Sequence, residues 1–87
     1  MVTWRKAITE MMDSDDSWDN VEKAIIEGDD SAFDEEFYDG YGGENGKPFT
    51  VWTKDYIYFP VCYDGAEWCG RISRHPCDTP TDHFGGG

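Results

Sequence analysis

The chain is 87 residues long and has room for one small domain. Nineteen Asp and Glu stand against seven Lys and Arg, giving a formal net charge of −12 and a pI near 4.2. That balance excludes the usual basic kind of nucleic-acid binder, because attraction to phosphate becomes repulsion.

No apolar run approaches the roughly 20 residues of a membrane-spanning helix, and no basic segment followed by an apolar one marks an export signal. A cytoplasmic protein is expected. Leucine is absent, while four Trp, five Tyr and five Phe supply most of the large apolar surface. The core should therefore be aromatic and β-branched.

Thr3 to Met12 sets Trp4, Ala7, Ile8, Met11 and Met12 on one helical face, with Thr3 as N-cap. Asp13-Ser14-Asp15-Asp16-Ser17 breaks that pattern. A second helix is then predicted from the recurrence of Trp18, Val21 and Ile25, with Gly28 as its stop. Ser31 and Asp34 are spaced as a variant capping box for a short third helix reaching about Tyr38. Gly40, Gly42, Gly43, Gly46 and Pro48 form a loop.

From Phe49 the period changes to two. Three strands are predicted over Phe49–Trp52, Tyr56–Tyr63 and Ala66–Ser73, with Asp64-Gly65 as a two-residue hairpin turn. That turn pairs Tyr63 with Ala66, Val61 with Trp68 and Phe59 with Gly70. One face then carries Ile57, Phe59, Val61, Tyr63, Ala66, Trp68 and Ile72. The other is mixed, with Tyr56, Tyr58, Pro60, Cys62, Glu67, Cys69 and Arg71. The first hairpin admits two registers. A turn at Thr53-Lys54-Asp55 adds Phe49 and Val51 to the apolar set, and burial favours it over a turn at Lys54-Asp55. The expected fold is α+β, with two or three N-terminal helices packed on a three-stranded antiparallel meander. Residues 1–74 form the domain, helical and acidic to 44 and β from 49 to 73, and residues 75–87 an extended or flexible tail.

The cysteines suit a reducing compartment and free thiols. A zinc site of Cys62, Cys69, His75 and Cys77, with His83 nearby, would lack the close cysteine pair usual in structural sites, so no metal or other cofactor is expected. Asp13, Asp15, Ser17 and Asp19 have the spacing of a calcium loop, but its glycine and glutamate positions hold Trp18 and Ala24. No nucleophile–base ordering, phosphate-binding glycine motif or metalloprotease helix is present, so no enzymatic activity is expected.

The charge itself is the strongest signal. Residues 13–44 contain thirteen acids and one base, Lys23, and the remainder of the chain is neutral. On the predicted second helix Asp15, Asp19 and Glu22 form a stripe at i, i+4 and i+7. Asp29, Asp30, Asp34, Glu35, Glu36 and Asp39 continue it, with Asp13 at its start. Such a band can stand in for the phosphates of DNA and enter a basic groove with electrostatic steering. Trp52, Tyr56 and Tyr58, left off the core by the preferred register, and Tyr38 and Tyr41 in the loop, are of the types enriched at interface hot spots.

Phe49-Thr-Val-Trp-Thr53, Tyr58-Phe-Pro60, Tyr63-Asp-Gly-Ala-Glu-Trp68 and Arg74-His-Pro-Cys77 together resemble a group of small uncharacterised phage and prophage proteins, over nearly the C-terminal half. In size, acidity and expected fold the chain is also similar to phage anti-CRISPR and anti-restriction proteins that mimic DNA. That second similarity is compositional. It implies a phage-encoded inhibitor that blocks the nucleic-acid-binding groove of a host protein or CRISPR effector complex and binds no nucleic acid itself. Two alternatives remain open: an acidic adaptor or regulator that binds a protein through exposed aromatics, and a small zinc-stabilised domain.

Overall fold

The computed structural model describes residues 2–37, 45–63, 66–81 and 83–84. Helix α1 spans Trp4–Met12, and the Thr3 hydroxyl caps it by accepting the Lys6 N–H at 3.1 Å. Four strands follow, β1 (Val21–Ile26), β2 (Phe49–Thr53), β3 (Tyr56–Tyr63) and β4 (Ala66–Ser73), in one antiparallel sheet ordered β1-β2-β3-β4. The α+β class stands, with one α-helix among the described residues and a fourth strand.

The second predicted helix is replaced by a 3-10 turn over Trp18–Asn20 and strand β1. Val21, Ile25 and Ile26 are β-branched, and a short apolar run reads equally as helix or strand from its period alone. Pairing decides it: Ala24 lies opposite Val51 and Ile26 opposite Phe49, so β1 satisfies the backbone edge that β2 would otherwise leave open. A bulge between Val21 and Lys23 adjusts the register. The third predicted helix is a 3-10 turn, Asp30–Asp34, capped by Asp29 rather than Ser31. The Asp29 carboxylate accepts the Ser31 N–H at 3.0 Å and also the Ser31 hydroxyl. Phe37 then forms an isolated bridge with Val2.

The β3–β4 register is the one expected, from Tyr56 opposite Ser73 to Tyr63 opposite Ala66. The Asp64-Gly65 turn itself, like Tyr38, Asp39, Tyr41, Glu44 and the terminal triple glycine, lies outside the described residues. The first hairpin has the other register. Val51 pairs with Tyr58 and Trp52 with Ile57, leaving Lys54 and Asp55 as the turn. The buried face is therefore the mixed one. Phe49, Val51, Tyr58 and Cys69 pack against Trp4, Ile8 and Met12 of α1 and against Phe33.

Polar bonds make that choice workable. The Tyr58 hydroxyl donates to Asp16 at 2.6 Å, and the Thr53 hydroxyl donates to the same carboxylate oxygen at 2.7 Å. Arg71 grips Asp15 with two bonds of 2.8 and 3.2 Å and lies 4.0 Å over the Tyr56 ring. The turn is clamped from outside: Lys54 N–H donates to Asn20 O and Arg74 N–H to Asp55 O. Pro60 offers no N–H, and the β2–β3 pairs, Val51 with Tyr58 and Trp52 with Ile57, end before it.

Candidate interaction surface

Register dictates which side chains reach solvent. Across the sheet, Lys23, Trp52, Ile57 and Ile72 form one row on the side away from α1. Ile25, Phe59, Val61, Tyr63, Ala66 and Trp68 share that outer side, and among the strand residues with a register partner Lys23 is its one charged side chain. Trp68 is 38% exposed, Ile72 38%, Ile25 49% and Tyr63 52%. Phe59 and Val61 close over Gly70, where an added Cβ would lie 2.8 Å from the Phe59 ring. Phe84 of the C-terminal segment meets Phe59 edge-on, with ring centroids 5.1 Å apart, and stays 41% exposed. Trp68, Ile72, Ile25 and Tyr63 are thus large apolar side chains left exposed on one side of the sheet, in a chain with 19 acids.

The expected aromatic contacts are divided by this arrangement. Trp52 is half-buried on the outer side. Tyr58 is fully buried, the reverse of the surface position expected for it, because its ring faces α1 and its hydroxyl has Asp16 as partner. Tyr56 is half-buried, faces the helix side and donates to Asp15 at 3.3 Å. Trp68 and Tyr63, read from the sequence as core, are the exposed pair. Only the register distinguishes the two sets.

The acidic residues do not form the predicted stripe, since its helix is absent. Asp15 is held by Arg71, Glu22 by Arg74 at 2.6 Å, Asp34 by Arg5 at 2.8 Å and Glu35 by Lys47 at 3.1 Å. Asp29 caps its turn. Asp13, Asp19, Asp30 and Glu36 are exposed and take part in no ion pair among the described residues. The two acidic segments nonetheless adjoin: Trp18 and Phe33 meet edge-on at 6.3 Å, and Arg5 lies 4.6 Å over Trp18 while binding Asp34.

The hydrogen bonds from Arg71 hold the Asp15 carboxyl below the usual carboxylate range. For Asp16 burial acts upward, but bonds from Tyr58, Thr53, Asn20 and the Ser17 N–H outweigh it and the net shift is downward. Burial, then the bond to Asp16, raises the Tyr58 phenol. Burial pushes the Cys69 thiol up to about 12. Each of these shifted groups is engaged in packing or internal bonds.

All three cysteines are free thiols, Cys69 buried and Cys62 and Cys77 exposed. Among the described residues no three His, Cys, Asp or Glu side chains gather as a metal cage, so Cys62, Cys69, His75 and Cys77 do not converge. His75 instead bonds the Lys54 carbonyl at 3.0 Å with its Nε2. No helix among the described residues is long and apolar enough to cross a membrane. No family model, curated protein or solved structure matches the chain.

Sequence reasoning missed Glu67. Its carboxylate is buried and accepts the N–H groups of Asn45 at 2.7 Å and Gly46 at 2.9 Å. That bond fixes the end of the glycine-rich loop against Trp4, whose indole donates to Lys47 O at 3.0 Å. A carboxylate between Ala66 and Trp68, on a strand whose one other charged residue is Arg71, was the available signal.

Proposed function

We propose that this chain is a non-enzymatic protein-binding adaptor or regulator whose outer sheet face docks on an apolar patch of a partner protein bordered by Lys and Arg. One observation carries the reading: Trp68, Tyr63 and Ile72 stay exposed on a face where Lys23 is the one charge among the described, register-paired strand residues, on a molecule of net charge −12. Exposed tryptophan and tyrosine are the side chains that supply most energy at protein interfaces. The surrounding acids steer a basic-rimmed partner and repel an acidic one. The resemblance to small phage proteins supports a partner in the host cytoplasm.

A second reading, mimicry of DNA by an anti-defence inhibitor, draws on the contact between Trp18 and Phe33. That contact brings the acidic segments together, with Asp13, Asp19 and Asp30 in no ion pair among the described residues. It is the weaker of the two, because four members of the band are already neutralised by internal Arg and Lys.

Capture from host lysate distinguishes them. The docking reading expects a W68K/I72K variant to lose the captured protein and a D13K/D19K/D30K variant to retain it at moderate salt. The opposite pattern, with a captured protein that normally holds nucleic acid, would establish mimicry instead.

A further inference from the structure

Among the described residues β1 is an edge strand, paired with β2 on one side only. Glu27 N–H donates to Pro48 O at 3.0 Å, so the ladder continues one residue past Ile26. By antiparallel alternation the N–H and C=O groups of Ile25 turn toward β2, and those of Ala24 and Ile26 turn outward. The outward groups make no backbone hydrogen bond to another segment among the described residues. Lys23, Ile25 and Glu27 follow one another at alternate positions on the outer side of this edge. Lys23 and Glu27 are exposed and in no ion pair among the described residues, and Ile25 is 49% exposed. A hollow of about 350 Å³ lined by Ile25, Ile26, Pro48 and Phe49 adjoins them.

We infer that β1 is the interface between two copies of this chain, pairing antiparallel with itself about a two-fold axis through Ile25. The row reads positive, apolar, negative, so reversing it against itself gives complementary charges. Lys23 then lies opposite Glu27 of the partner subunit, and Ile25 opposite Ile25 of the partner subunit. Ala24 and Ile26 exchange four backbone hydrogen bonds with Ile26 and Ala24 of the partner subunit. Centring the axis on Ala24 would set Lys23 against an isoleucine, and centring it on Ile26 would set Glu27 against one. Only the Ile25 register pairs opposite charges, the arrangement that stabilises cross-strand neighbours. The bulge between Val21 and Lys23 ends the flat stretch, confining the contact to a short segment and one partner. A two-fold contact of this kind closes, producing a dimer and not a fibre. It extends the four-stranded sheet to eight strands and is independent of what docks on the outer face.

The interface is small, so the dimer is weak and reversible, populated at up to about 1 mM chain. Sedimentation equilibrium of the full chain over that range tests it, with three proteins: wild type, K23E and the charge swap K23E/E27K. Wild type should dimerise, K23E should associate about tenfold or more weakly, because two attractive pairs become repulsive, and the swap should recover. Three results overturn the inference: a wild type that stays monomeric throughout, a K23E variant that dimerises like wild type, or a folded double variant that does not recover.

Discussion

The Tyr58 hydroxyl donates to the Asp16 carboxylate at 2.6 Å, across 42 positions of sequence. This bond joins the acidic segment after α1 to β3, one of the two inner strands of the sheet. Together with the Thr53 hydroxyl it turns a polar sheet face into one that can be buried, because a buried polar group costs little once paired. The apolar face is thereby released to solvent.

Asp16→Asn should therefore lower stability by about 2 kcal/mol at pH 7, since it weakens hydrogen bonds to a charged acceptor. The pH dependence has a defined sign. The folded-state pKa of Asp16 lies below the ordinary aspartate value of 3.8, so its contribution is present above about pH 3.8 and is lost as pH falls through the lower folded value. Urea unfolding from pH 7 to pH 2 should show a shallower acid limb for the variant than for wild type. Equal limbs would remove Asp16 from this role.

Gly46 lies against Trp4 so closely that an added Cβ would stand 2.5 Å from the indole. Trp4 is buried and held by Lys47 O, and it cannot move aside cheaply. Gly46→Ala should cost about 1–3 kcal/mol, the range for overpacking a well-filled core. Thermal or urea unfolding checks this, and an unchanged midpoint would contradict the packing described.

The thiols should separate by environment. Cys62 and Cys77 are exposed, whereas Cys69 is buried with its pKa pushed up to about 12. A thiol-reactive chromophore applied to the native protein should label two cysteines rapidly and the third only on unfolding. Rapid labelling of all three would mean that the α1–β4 contact opens readily.

Helix α1, the three C-terminal strands and the β3–β4 register were legible because each rests on local pattern: a clean 3.6 period, a cap, alternation and a turn dipeptide. The β1 segment was not. Trp18, Val21 and Ile25 satisfy a helical period by coincidence, and only pairing with β2 distinguishes the alternatives. The buried face was misread for a related reason. Apolar content argued for Ile57, Phe59 and Trp68, while the true core depends on Asp15 and Asp16, more than 40 residues distant, meeting Arg71, Tyr56 and Tyr58. No local rule pairs those residues. The charge count was legible, but its use was not: four of the acids predicted to face a partner bind the chain's own Arg and Lys.

Substitutions on the outer face should separate stability from binding. Trp68→Lys and Ile72→Lys leave the α1-side core intact and keep an aliphatic stem over the sheet, so each should lower stability by no more than about 2 kcal/mol. A protein still folded in the absence of urea, with loss of the captured partner, is the expected pair of results. A strongly destabilised W68K would mean that Trp68 belongs to the fold and not to an interface.

The most direct measurement uses the four tryptophans as reporters. Trp4 and Trp18 lie on the helix side with their indole N–H groups bonded to Lys47 O and to the Thr9 hydroxyl, while Trp52 and Trp68 lie on the outer side. Nitrogen-labelled chain titrated with the protein it captures should show the Trp52 and Trp68 indole resonances moving or broadening, with Trp4 and Trp18 unchanged. Movement of Trp18 alone, with Trp52 and Trp68 still, would place the partner on the acidic side and contradict the account.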